Sequence, residues 1–137
     1  MKAVFAIGLT LAALAAPVSA ETLVLDCAFK EQGTTGWIPP RVILSRDLTS
    51  NKVSVIDGIV QTVYGAPIEA TIATENNVRT TYVWAIKGYT NATGQYLSQF
   101  QYRVTVPKSG KTVTISAVPV GYSNSMQGSG TCTATRK

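Results

Sequence analysis

The sequence contains no histidine, and this removes the side chain most often used as a general base near neutral pH and as a zinc ligand. Cysteine is also scarce, with only Cys27 and Cys132 present. Reactive dithiols usually sit close together, as in Cys-x-x-Cys, so a pair near opposite ends of the chain argues against redox chemistry. The candidate catalytic groups that remain are the carboxylates Asp26, Asp47, Asp57, Glu69 and Glu75. They form no catalytic pattern, so we expect no enzyme, metal site or cofactor.

Charged residues are few, at 14% of the chain. Loss of Lys2 with a cleaved leader leaves 11 basic residues against 7 acidic ones, a net charge of +4. No run of consecutive Lys or Arg forms an electrostatic stripe, which disfavours nucleic-acid binding. A mild attraction to anionic glycans or lipid head groups is compatible with this charge.

The first 20 residues resemble an export leader. Lys2 is followed by an uncharged apolar stretch over residues 3–17, and Val18 and Ala20 suit the signal peptidase pocket. Such a segment is typical of a secretory signal peptide, cleaved here before Glu21. Its apolar core is too short to span a bilayer comfortably. We therefore predict a single domain over residues 21–137, exported to the periplasm or extracellular space, with no transmembrane segment.

Export delivers cysteines to an oxidising compartment, so Cys27 and Cys132 are expected to form a disulfide. Both fall in predicted strands, one in the first and one in the last. The bond is therefore predicted to join the two ends of the sheet.

Within residues 21–137 no sustained apolar period of 3.6 residues occurs, whereas alternation with period two recurs in stretches rich in Val, Ile, Thr and Tyr. This pattern predicts an all-β fold. Sequential hairpins with linked first and last strands favour a single antiparallel meander, closed or nearly closed into a barrel, with a β-sandwich as the alternative. The eight or nine expected strands are residues 22–29, 40–46, 52–56, 59–65, 68–74, 78–87, 96–107, 111–118 and 130–136.

Turn chemistry sets one register clearly. If Ser109-Gly110 is a two-residue hairpin turn, Val104 faces Ile115 and Tyr102 faces Ala117. Apolar residues then meet apolar residues, which supports both the hairpin and the inward face of the strand.

Two further turns are less consistent with one another. Asp57-Gly58 is expected to be a hairpin turn that leads into the strand at 59–65. A strict two-residue turn at Asn76-Asn77 pairs Ile72 with Thr81, away from the inward face of the next strand. Either this turn contains a bulge or the strand is covered on both sides.

Two motifs lie in expected connections. Gly128-Ser129-Gly130 precedes the last strand and is expected to form a twist or bulge. Asn91-Ala92-Thr93 is an N-glycosylation sequon in a polar loop, and its use depends on the host.

Four aromatic residues are expected on the inner face of neighbouring strands, namely Tyr82, Trp84, Phe100 and Tyr102. The expected pairing sets Trp84 opposite Phe100 and Tyr82 opposite Tyr102, which makes an aromatic ladder. These rings either fill the core or line the mouth of a cavity that binds a small apolar ligand.

The outward face of the same strands carries Arg79, Gln101 and Arg103. A solvated sheet face explains these side chains. The alternative is a surface that binds an anionic group or a protein partner.

The leading functional hypothesis is an exported, non-catalytic binding module that engages a small apolar ligand or a protein. It predicts an internal cavity beside Trp84 and Tyr102. The second hypothesis is a structural or accessory protein of the cell envelope that acts through its surface or edge strands. The third is a carboxylate-based hydrolase, which requires two carboxylates in one cleft.

Overall fold

A computed structural model describes Gly8, residues 11–14, residues 21–90 and residues 92–137. The predicted signal peptide lies largely outside the described residues, and Asn91 of the sequon lies outside them as well. No helix in the described part of the chain is long and apolar enough to cross a membrane. The elements are β1 (Thr22–Glu31), β2 (Arg41–Asp47), β3 (Val53–Asp57), α1 (Gly58–Tyr64), β4 (Ile68–Glu75), β5 (Arg79–Thr90), β6 (Tyr96–Pro107), β7 (Val113–Pro119) and β8 (Met126–Arg136).

The eight strands form one closed antiparallel barrel in which each strand pairs with its neighbours in the chain and β8 pairs with β1. The predicted meander barrel is confirmed, and the sandwich alternative is not adopted. Val104 faces Ile115 and Tyr102 faces Ala117, as the Ser109-Gly110 turn predicted. Closure buries one continuous apolar interior, because inward side chains alternate with outward ones along every strand.

The barrel closes at the seam between β1 and β8. Cys27 lies directly opposite Cys132, and the two sulfurs form the predicted disulfide. The strands approach so closely here that a Cβ on Gly130 would lie 1.7 Å from the carbonyl oxygen of Ala28. Gly128-Ser129-Gly130 therefore lies within β8 and pairs with β1 in regular register, without the bulge that was one of the two expectations. The glycines permit the close approach of the two strands.

The predicted hairpin at Asp57-Gly58 is wrong, because the chain forms the helix α1 there instead of a strand at 59–65. The Asp57 carboxylate oxygen Oδ1 accepts hydrogen bonds from the backbone N–H groups of Ile59 and Val60, at 2.8 and 2.9 Å. This is an N-cap, and Gly65 with φ of 70° ends the helix. The β-branched residues of this segment favour a strand, but the two caps and the burial of Ile59 and Val60 stabilise a helix instead.

Two other predicted strand registers concern the pairing of β4 with β5 and of β5 with β6. The ladder shifts between Ile72 and Thr74, so that Ile72 faces Tyr82; the irregularity therefore lies within β4 and not in the Asn76-Asn77 turn. The predicted aromatic pairing is wrong by two residues, since Trp84 faces Tyr102. The strand β5 continues to Thr90 and shortens the following connection, which moves the register.

The two ends of the barrel differ in their connections. We call the end with residues 32–40, 58–67, 92–95 and 120–125 the loop end. We call the other end the turn end; it carries residues 48–52, 76–78 and 108–112 together with the first residue of β1 and the last of β8. At the loop end Trp37 and Ile38 fold inward and are only 2% and 6% exposed. The loop end is thus plugged by its own connection.

Candidate ligand-binding site

The four predicted aromatic residues lie together inside the barrel, where each is at most 3% exposed. The rings of Trp84 and Tyr102 stack with centroids 5.6 Å apart, and Phe100 lies 5.9 Å from Tyr102. Trp37 joins them, 4.1 Å from Phe100. Sequence reasoning missed Trp37 because it lies in a loop. An apolar Trp-Ile pair between Gly36 and Pro39 was the signal that a buried segment interrupts that loop.

A hydrogen bond ties the aromatic cluster to the plug at the loop end. The Tyr102 hydroxyl donates to the backbone carbonyl oxygen of Trp37 at 2.7 Å. Burial, followed by the nearby negative charge of Asp57, raises the pKa of Tyr102 above its ordinary value. Tyr102 therefore remains a neutral donor and holds the Trp37 backbone across the barrel.

A cavity of about 550 Å³ opens at the turn end. This volume lies within the usual range for small-molecule sites, roughly 300 to 1,000 Å³. Tyr82 lines it, whereas Trp84, Phe100 and Tyr102 do not. The lining residues are Leu23, Leu25, Arg46, Thr80, Tyr82, Val106, Pro107, Lys108, Ala134 and Arg136.

Five strands contribute to this cavity, because inward-facing residues at one end of a barrel converge from all sides. Its apolar walls come chiefly from β1, β6 and β8, through Leu23, Leu25, Val106 and Ala134. Ala134 on β8 is small, and the space in front of it stays unfilled. Neither the cavity nor its depth was evident from the strand pattern alone.

Arg46 is the central polar group of the cavity, with a side chain only 13% exposed. Its Nε and Nη2 donate to the Asn51 side-chain oxygen at 3.3 and 3.0 Å, and Nη1 donates to Glu75 at 3.3 Å. The Tyr82 side chain lines the same cavity beside it. Burial opposes its charge, but the Tyr82 contact and the attraction of Glu75 outweigh this, and the pKa of Arg46 is raised. The guanidinium is therefore a fixed cation.

Glu75 organises the cations at the cavity mouth. It accepts hydrogen bonds from the Thr80 hydroxyl, from Lys108 Nζ at 3.2 Å and from Arg46. The Thr80 bond, followed by the bonds and charges of Lys108 and Arg46, holds the pKa of Glu75 below its ordinary value. The carboxylate is ionised at neutral pH, and its two cationic partners are positioned by it.

The predicted outer surface residues are not one cluster. Gln101 and Arg103 are both exposed on the outer wall of β6, where Arg103 faces Val83. Arg79 lies at the first residue of β5, roughly 13 Å along the strand from Val83. The structure therefore brings Gln101 and Arg103 together and assigns Arg79 to the turn end.

A second depression, of about 320 Å³, lies at the loop end outside Trp37. Tyr96 and Tyr122 border it and are 66% and 63% exposed. No charged side chain lines it among the described residues. It offers aromatic and amide groups but no ionic anchor.

Of the carboxylates that remained as catalytic candidates, Asp47 and Glu69 both line one cavity of about 470 Å³, and the other three lie apart from it. Asp57 caps α1 at the loop end, and Glu75 lies at the turn end. Asp26 forms an ion pair with Arg41 on the outer wall, at 2.6 Å, and the hydrogen bond from Arg41 lowers the pKa of Asp26. In the part of the chain that the structure describes, no group of three or more His, Cys, Asp or Glu residues is placed to hold a metal ion.

Comparison with known proteins finds no matching family model, no matching curated protein and no matching solved structure. One cellular inference follows from the disulfide, since such bonds persist in oxidising compartments and are rare in the cytosol. The bond between Cys27 and Cys132 thus indicates an oxidising, exported environment.

Proposed function

We propose that this protein is an exported, non-catalytic binding module that takes a small amphipathic molecule with an anionic head group into the turn-end cavity. The observation that carries the proposal is the combination of apolar walls and a partly buried, fixed guanidinium in one cavity of about 550 Å³. Apolar pockets with a few convergent polar groups are the usual form of small-molecule sites.

The apolar walls favour a hydrocarbon tail. Transfer of such a tail from water gains about 0.8 kcal/mol for each buried CH₂ group. Leu23, Leu25, Val106 and Ala134 offer no hydrogen-bonding side chain to a ligand, so the walls select for apolar character and not for a particular polar shape.

The cations favour an anionic head group. Arg46, Lys108 and Arg136 line the cavity, and the nearby carboxylates Glu75 and Glu21 balance only two of these three charges. Guanidinium groups bind carboxylates and phosphates through paired hydrogen bonds. Because Asn51 and Glu75 already hold Arg46, little side-chain entropy is lost when a ligand binds.

Binding of dodecanoate, measured by isothermal titration calorimetry, tests the proposal. Dodecanol serves as the matched ligand that lacks the charge. We expect dodecanoate to bind at least tenfold more tightly, because a hydrogen bond to a charged group contributes about 1.5 to 3 kcal/mol. Failure of both ligands to bind would overturn the proposed function.

A matched pair of variants locates the site. Ala134→Trp fills the cavity, whereas Thr135→Trp places the same ring on the outer face of β8, one residue further along the strand. We expect Ala134→Trp to abolish dodecanoate binding and Thr135→Trp to leave it unchanged, with near-ultraviolet circular dichroism as the check that both variants are folded. Equal binding by Ala134→Trp and the wild type contradicts the assignment of this cavity.

A further inference from the structure

The charges of the barrel are distributed very unequally between its two ends. Within residues 21–90 and 92–137, the turn end together with the strand residues next to its turns carries seven basic and four acidic side chains, and the remaining side chains are four basic and three acidic. Of the net side-chain charge of +4, a charge of +3 thus lies at the turn end. The basic residues there are Arg46, Lys52, Arg79, Lys108, Lys111, Arg136 and Lys137, and the acidic ones are Glu21, Asp47, Glu69 and Glu75.

Several of these cations are available for a partner. The ion pairs at this end use Arg46, Lys108 and Arg136. Arg79 and Lys111 are exposed and form no ion pair within the described residues. They lie in or beside different turns, so the positive charge is spread over the turn end and is not concentrated at one position.

Apolar groups are interspersed with these cations. Val78 lies in the turn between β4 and β5 and is 65% exposed, and Pro107 lies beside the cavity mouth. The backbone N–H of Lys108 donates to the Val78 carbonyl oxygen at 2.9 Å, so this apolar tip and a cation are held side by side. An exposed apolar residue within a basic surface is typical of segments that bind the membrane interface.

We propose that the turn end docks on an anionic lipid bilayer, with the barrel mouth facing the membrane. Basic residues near an anionic surface gain roughly 1 kcal/mol each, and Val78 enters the head-group layer. The cavity opens on this same face, so a lipid passes from the bilayer into the barrel without crossing water. Docking itself follows from the surface charge; delivery to the cavity rests on the proposed function.

Co-sedimentation with large unilamellar vesicles tests docking. We expect the wild-type protein to bind vesicles of equimolar phosphatidylcholine and phosphatidylglycerol, to release them at high salt, and to ignore pure phosphatidylcholine. Absence of binding to the anionic vesicles at low salt would overturn the proposal. Equal binding to both vesicle types would overturn it as well.

Two variants of equal net charge separate this face from charge in general. Arg79→Glu/Lys111→Glu reverses two cations at the turn end, whereas Lys87→Glu/Arg103→Glu reverses two exposed cations of the outer wall. Removal of two such cations alone lowers the partition coefficient roughly 25-fold, and reversal lowers it further. We expect this loss in the first variant and a change under about threefold in the second. Equal losses in both would refute docking through the turn end.

Orientation has its own measurement. Val78→Trp places a reporter at the turn end, and Val120→Trp places one at the loop end, where Val120 is 49% exposed. Brominated lipids should quench the added fluorescence of the first variant only, because bromine quenches at short range. Quenching of Val120→Trp alone would invert the proposed orientation and refute it.

The cavity variant distinguishes the two proposals. We expect Ala134→Trp to dock on anionic vesicles as the wild type does while it fails to bind dodecanoate. Failure of docking in a protein that still binds dodecanoate overturns this inference and leaves the proposed function standing.

Discussion

Removal of the disulfide tests how the barrel is held closed. In the double variant Cys27→Ala/Cys132→Ala the seam between β1 and β8 retains its backbone pairing, but the covalent closure is lost. The bond spans 105 residues, and a chain-entropy estimate for a loop of this length gives about 4.7 kcal/mol. Because whole domains are stable by only about 5 to 15 kcal/mol, this is a large share.

Urea unfolding followed by far-ultraviolet circular dichroism measures this loss. With a slope of about 2 kcal/mol per M, we expect the midpoint to fall by about 2 M. Reduced wild-type protein serves as the control, because it keeps both cysteine side chains and thus separates the cross-link from the small void that alanine leaves at the fully buried Cys27.

The outcome that would refute this reasoning is specific. If oxidised and reduced wild-type protein unfold at the same urea concentration, the nine residue pairs of the seam close the barrel without help from the bond. Alkylation of both cysteines in non-reduced protein would refute the bond itself.

Substitutions at two further positions test local features. Burial raises the pKa of the Asp57 carboxyl group in the folded protein. Protonation of Asp57 therefore stabilises the folded state relative to the unfolded state. This stabilisation is complete below the ordinary carboxyl pKa near 3.8 and is lost as the pH rises through the raised pKa of the folded protein. We therefore expect the free energy of unfolding of Asp57→Asn, measured with urea, to rise relative to that of the wild type as the pH rises. Asp57→Ala should lose about 1 kcal/mol because it removes the helix cap. Parallel pH profiles for Asp57→Asn and the wild type would contradict this. Gly130→Ala should lose at least about 3 kcal/mol, because its Cβ collides with the Ala28 backbone, whereas Gly33→Ala meets no atom within 4 Å and serves as the control.

The site shows why sequence reasoning reached only part of the answer. Tyr82 was correctly predicted to lie on the inner face of the sheet, and it lines the cavity. Arg46 was not singled out, because a basic residue at the end of a strand is normally solvated. Its role depends on Asn51, Glu75 and Tyr82, which come from three different parts of the chain.

The aromatic register shows a second limit. A slip of two residues leaves every side chain on the same face, so alternation cannot distinguish Trp84 opposite Phe100 from Trp84 opposite Tyr102. Ring stacking and the bond from Tyr102 to the Trp37 backbone depend on the position of the plug, which no local pattern encodes.

Local patterns were sufficient to predict the all-β meander, its closure and the pairing of Cys27 with Cys132, because alternation and turns act over short stretches of chain. The tertiary structure alone decided that residues 58–64 are helical, since capping and burial outweigh the strand preference of β-branched residues. It also decided where the charges collect. In an antiparallel meander alternate connections meet at one end, so basic residues scattered along the sequence become one face around an apolar mouth.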